Sequence, residues 1–101
     1  MTIEFKEVLP MSYTMDDLLS IMKRLRADDG CAWDKVQTHQ SIKRSMIEEA
    51  YEAIEALDNN DDKMFANELG DVLLHVAFYA KIGEETGDFG MADVCTRLSD
   101  K

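Results

Sequence analysis

Apolar residues recur at helical spacing along most of the chain, and nowhere do they alternate convincingly with polar ones. Met15, Leu18, Leu19, Met22 and Leu25 mark a first helix over about 15–27. Thr14 offers a hydroxyl to cap it and Asp17 puts acid in its first turn. Lys23, Arg24 and Arg26 place cations at its carboxyl end. Residues 28–40, "DDGCAWDKVQTHQ", show no period; Gly30 reads as a turn, and the only tryptophan, Trp33, sits mid-loop. Long loops in small domains often carry function. A second helix is expected from about Ser41 to Leu57. The turn "DNNDD" at 58–62 follows, where Asp61 or Asp62 caps a third helix running to about Glu85, with Gly87 as its stop. A short fourth helix is expected over about 91–99, and residues 1–13, with the only proline, Pro10, read as an extended arm. The fold class is all-α: one four-helix, bundle-like domain over 14–101.

Each residue advances about 100° around a helix, so the faces can be laid out. On helix two, Met46, Ile47, Ala50, Ile54 and Leu57 gather on one side, the face expected to be buried. Glu49 and Glu52 form a strip roughly 100–170° away from it. On helix three the apolar stripe is Leu69, Val72, Leu73, Val76 and Ala80, with Glu68, Asp71 and His75 on a strip beside it. A short turn makes the two helices antiparallel neighbours, so the acidic strips can meet along a shared edge. Phe78 and Tyr79 fall on the acidic side of helix three, which suggests that this side faces a partner rather than open water. Gly70 lies inside helix three at a cost of about 1 kcal/mol relative to alanine, as if something needed to come close there.

Composition narrows the choice of chemistry. The formal net charge is −10, from 21 acidic against 11 basic side chains. That balance excludes a nucleic-acid polymer as the natural partner, because such partners need a basic face to displace counterions. The 46% apolar content is that of a globular chain. A helical domain of 101 residues has a small core, for which oligomerisation is a common remedy. Seven methionines suit adaptable helical contacts. Cys31 and Cys95 have no metal-ligand spacing and read as reduced thiols. The amino terminus, "MTIEFKEVLP", shows no signal-peptide pattern, and no apolar run reaches membrane-spanning length. A soluble cytoplasmic protein is expected.

The converging acids admit two readings, a solvated face or a divalent-metal site. Four carboxylates held close repel one another, and a cation relieves the conflict. Magnesium takes hard oxygen ligands and leaves positions for phosphate oxygens. Arg44 can pair with Glu48 at i,i+4, but Glu49, Glu68 and Asp71 have no comparable basic neighbour. A di-iron bundle would need E-x-x-H pairs on two helices. The positions three after Glu48, Glu49 and Glu68 are Tyr51, Glu52 and Asp71.

The stretches "IEEAYEAIEAL" and "ELGDVLLHVAFYAKIGEETGDF" resemble the MazG-type nucleotide pyrophosphohydrolases, known by an EExxE motif and a later ExxD motif. The likeness extends upstream through "LLSIMKRLRADDGCAWDKVQTHQS", with its W-D-x-x-Q-T-H loop, and covers about 14–95. The resemblance implies an all-α fold that forms a homodimer or a dimer of dimers. It implies magnesium-dependent cleavage of nucleoside triphosphates to monophosphate and pyrophosphate, by water attack at the α-phosphorus, with Mn2+ as a substitute ion. Carried over by position, Glu49, Glu52, Glu68 and Asp71 would be metal ligands. Glu48 would be the catalytic neighbour, binding a further ion or orienting the water. Trp33, Lys35, His39, Lys43 and Arg44 are candidates for substrate contact, with Trp33 stacking on a base or serving as core. His39 would equally serve as a loop or cap residue, and His75 as a buried structural group or a support for the ligands. "CAW" lacks the proline common in this loop, and "TRLSDK" stops about where relatives continue into a basic, histidine-containing segment. An excised or short form is therefore expected. The other readings are a non-catalytic helical oligomerisation module and a specialised relative, dUTPase-like or cleaving phosphoribosyl-ATP.

Overall fold

The computed structural model describes residues 13–101. Four helices follow in order: α1 (Met15–Leu25), α2 (Lys43–Asp58), α3 (Asp62–Thr86) and α4 (Met91–Ser99). A 3-10 turn, Asp34–Val36, interrupts the long loop, and there is no strand among the described residues. The arm expected over 1–13 lies outside the described residues except for Tyr13.

The ends of the helices follow local chemistry. Thr14 and Asp17 form a reciprocal capping box on α1, with the Thr14 amide 2.8 Å from the Asp17 carboxylate. Asp61 accepts the Met64 amide at 3.0 Å and starts α3, which ends at Gly87 in the left-handed region, φ 80°. Helix α1 stops at Leu25, two residues early, because the chain turns back: the Cys31 amide donates to the Leu25 carbonyl at 2.9 Å. A Cβ on Gly30 would sit 2.4 Å from that same oxygen, so only glycine fits the return. Helix α2 begins at Lys43 rather than Ser41, since Ser41 and Thr38 exchange hydrogen bonds that close a turn before it.

Helix α3 is central and packs against α2, α1 and α4. The core consists of Met22, Ile42, Leu74, Phe78 and Ile82, with Leu18 and Tyr79 against it. Phe78, expected to face a partner, is instead 1% exposed inside the chain's own core.

The largest difference from the sequence reading concerns the apolar stripes. On α2 the buried residues are Ala53 and Ala56, while Ile47 and Ile54 are each 53% exposed and Leu57 is 49% exposed. On α3, Leu69 and Leu73 are 47% and 40% exposed; of that stripe only Ala80 is fully buried. The two helices meet through the side that carries Ser45, Glu49, Ala53 and Ala56. Small alanines let the backbones approach and turn the acidic strips inward, which rotates the bulky aliphatic residues outward. Nothing lies within 4 Å of a Cβ built on Gly70, so no group of the described chain makes the close approach expected there. No described helix is long and apolar enough to cross a membrane.

Candidate metal centre

The α2–α3 contact brings one carboxylate from α2 and two from α3 to a single point. Oxygens of Glu49, Glu68 and Asp71 all lie within 4.8 Å of one another, and each of the three residues is half-buried. The antiparallel register explains the match. Glu49 faces Asp71, and Glu68 follows one helical step earlier on α3. Oε2 of Glu49 and Oε2 of Glu68 are buried without a hydrogen-bond partner among the described residues. Buried polar atoms are normally satisfied, so two such oxygens at one point are suited to take up a cation or a proton.

The electrostatics agree. Burial, then the neighbouring Glu52 and Glu49 carboxyls, pushes Glu68 up from 4.5 to about 7. Glu49 is raised as well, first by burial and then by the charges of Asp71 and Glu52. Glu68 and Glu49 therefore hold on to their protons more tightly than free carboxylates. Hard carboxylate oxygens from two helices are a donor set that suits a hard divalent cation such as magnesium. A softer ion would want nitrogen or sulfur. His75 is engaged elsewhere, with Nδ1 2.7 Å from the Asp71 carbonyl and Nε2 2.8 Å from the Ser45 hydroxyl.

The remaining sequence candidates are placed as follows. Glu52 is exposed and lines the same pocket as Glu68, beside the cluster. Glu48 stands outside the three-carboxylate group, exposed and paired with Arg44 at 3.3 Å. Lys43 is exposed in the first turn of α2. Lys35 donates to the Asp28 carbonyl at 2.9 Å and closes its own loop. His39 is sandwiched between Tyr79 and Phe89, centroids 5.6 and 5.7 Å away, with Nε2 buried and unpartnered among the described residues. Trp33 is 51% exposed and rests edge-on against Phe78 at 6.3 Å. A polar pocket lined by Glu52, Glu55, Asn59, Asp61, Met64 and Glu68 continues from the cluster toward the α2–α3 turn.

Sequence reasoning missed two residues here. Ser45 pairs with His75 on α3, thirty residues further along the chain. Arg26 looked like a cation at a helix end, yet it holds Glu85 and the loop carbonyls of Asp34 and Gln37. Neither has a local signal, because the partners lie far along the chain.

Residues 37–101 match the family described as the MazG nucleotide pyrophosphohydrolase domain. The chain is 51% identical over 86 residues to the Thermotoga maritima protein named nucleoside triphosphate pyrophosphohydrolase/pyrophosphatase MazG, covering 85% of this chain and 34% of that one. It is 44% identical over 88 residues to the Escherichia coli K12 nucleoside triphosphate pyrophosphohydrolase, covering 86% of this chain and 34% of that one. To YabN of Bacillus subtilis it is 47% identical over 96 residues, 95% of this chain and 20% of that one. The chain thus spans about a third or less of the length of these relatives. Both acid motifs lie inside the matched stretch, on the two helices that form the carboxylate cluster, and the chain belongs to the MazG nucleotide pyrophosphohydrolase family.

Proposed function

We propose that this domain hydrolyses nucleoside or deoxynucleoside triphosphates to the monophosphate and pyrophosphate, with Mg2+ bound by Glu49, Glu68 and Asp71 and by Glu52 beside them. The observation that carries the reading is the convergence of three carboxylates within 4.8 Å, two of them with an orphaned buried oxygen. When bound, the ion supplies charge neutralisation for the phosphates and a water of lowered pKa.

The chain's own groups do the rest. Glu49, Glu68 and Asp71 are presented from helices rather than loops, so their spacing is fixed before substrate arrives and little ordering remains for the bound state. Glu48 follows Ser45 and precedes Glu49 on α2, outside the cluster. From there its carboxylate can orient or accept a proton from the attacking water once Arg44 is drawn to phosphate. Lys43 and Arg44, in the first turn of α2, supply positive charge in an otherwise acidic domain, and the helix terminus adds its own. Trp33 offers a half-exposed ring for a base. Lys35 and His39, already engaged, shape the loop beneath it and stand as weaker substrate contacts.

The aliphatic face left open by α2 and α3 supports a homodimer, or a dimer of dimers, in which a second copy covers Ile47, Ile54, Leu57, Leu69 and Leu73.

The test is a product assay by 31P NMR on a panel of triphosphates with Mg2+. Equimolar monophosphate and pyrophosphate are expected from the native chain, with Glu49→Gln slowed at least about a hundredfold. Release of single phosphate, or unchanged turnover in Glu49→Gln, overturns the reading. No turnover on any triphosphate points to a non-catalytic helical module.

A further inference from the structure

His75 is 4% exposed, and both of its ring nitrogens are engaged. A carbonyl oxygen only accepts, so Nδ1, 2.7 Å from the Asp71 carbonyl, carries the proton. In the neutral ring Nε2 is then the acceptor, and the Ser45 hydroxyl donates to it at 2.8 Å. A directional bridge therefore runs from α2, through the imidazole, to the backbone of a carboxylate residue on α3.

Its place in the register matters. Ser45 stands four residues before Glu49, and His75 four residues after Asp71. In an antiparallel pair this puts the Ser45–His75 contact one helical turn from the Glu49–Asp71 contact, on the same side of both helices. The buried residues of α2 are Ala53 and Ala56, and Ser45 is half-buried. Methyl groups set how close two helices come, but they resist rotation weakly. A hydrogen bond falls off steeply with angle, and a buried hydroxyl or imidazole left unpaired is costly. Rotation of α2 that would swing Glu49 away from Asp71 breaks this bridge first.

We propose that Ser45 and His75 are positioning residues that fix the rotation of α2 against α3, so that Glu49 and Asp71 meet at cation-binding distance. The inference rests on the metal-centre reading above. Neither side chain touches the ion or the substrate in this role.

Mn2+ affinity of the whole chain, measured by isothermal titration well below the melting temperature, separates positioning from mere packing. Ser45→Ala and His75→Leu should each weaken Mn2+ binding about tenfold, the lower end for substitutions that support metal ligands. The double variant should be no weaker than the worse single one, as one shared interaction requires. His75→Gln, which places an amide near the Nε2 position, should recover most of the loss. Met22→Ala, a core change on α1, should lower the melting temperature while leaving Mn2+ affinity within about twofold of native. Native-like affinity in Ser45→Ala, or an equal loss in Met22→Ala, overturns the proposal and leaves the pair a packing contact. A native chain that binds no Mn2+ overturns the metal-centre reading itself, and with it this inference.

Discussion

The guanidinium of Arg26 meets the carboxylate of Glu85 through two hydrogen bonds of 2.7 Å, Nε to Oε2 and Nη2 to Oε1. Its remaining nitrogen, Nη1, donates to the carbonyls of Asp34 at 2.7 Å and Gln37 at 3.0 Å, and the group lies 5.5 Å from the Phe78 ring centroid. One side chain, 6% exposed, thus ties the end of α1, the Trp33 loop and the end of α3 together. Arg26→Met should cost about 3 kcal/mol in urea unfolding, because Glu85 and two carbonyls lose their donor together. Arg26→Lys should recover only part of it, since an ammonium cannot reproduce the fork. A loss below about 1 kcal/mol in Arg26→Met would show the clamp to be a surface pair.

Two glutamates give the metal-free protein opposite pH responses. Glu85 is lowered by its hydrogen bonds to Arg26, so its contribution is present above the ordinary value of 4.5 and is lost as pH falls through its folded value. Glu68 is raised from 4.5 to about 7, chiefly by burial. The folded state then binds more protons than the unfolded one, and stability declines as pH rises from 4.5 toward 7. Melting curves in EDTA should therefore show a falling Tm across that range, and Glu68→Gln should flatten it. Millimolar Mg2+ should reverse the trend, because the ion replaces the proton. A flat native profile in EDTA would show that the carboxylates are not crowded in solution.

The number and order of helices were legible in the sequence because caps and stops are local. Thr14, Asp61 and Gly87 act on residues a few positions away, and each does what its chemistry suggests. The acid pairs on α2 and α3 were legible for the same reason, as i,i+3 neighbours on helices joined by a short turn. What could not be read was which side of α2 faces α3. Periodicity marks an apolar stripe but does not say whether it is covered by the same chain. Here Ala53 and Ala56 take the intramolecular contact, and Ile47, Ile54 and Leu57 are left outside. Contacts that depend on distant partners, such as Arg26 with Glu85 and Ser45 with His75, leave no local pattern at all.

The exposed stripe is itself testable. Ile54 on α2 and Leu73 on α3 are 53% and 40% exposed and contribute little to the protomer's own core. Large aliphatic side chains left open in this number ordinarily mark an interface. Light scattering coupled to gel filtration should give a dimer or larger assembly for the native chain at micromolar concentration. Ile54→Lys and Leu73→Glu should each shift the mass toward a single copy while far-ultraviolet dichroism stays helical. A native chain that is monomeric at high concentration would remove self-association as the role of this face.

Gly83 and Gly70, both inside α3, should respond to alanine in opposite ways. A Cβ on Gly83 would stand 2.8 Å from both the ring and the carbonyl oxygen of Phe89. Phe89 in turn stacks on His39, so it cannot move off without disturbing the loop. Gly83→Ala should therefore destabilise by about 1–3 kcal/mol through overpacking, despite alanine's better helix propensity. At Gly70 a Cβ meets nothing within 4 Å. Gly70→Ala should raise stability by about 1 kcal/mol, the propensity gain alone. Gly70 lies between Leu69 and Asp71, so it also reports on what approaches the carboxylate cluster. If Gly70→Ala gains stability but loses turnover, the missing Cβ serves the substrate. If both are kept, this glycine has no role in binding. Urea unfolding and the pyrophosphate assay on the same preparation decide between the two.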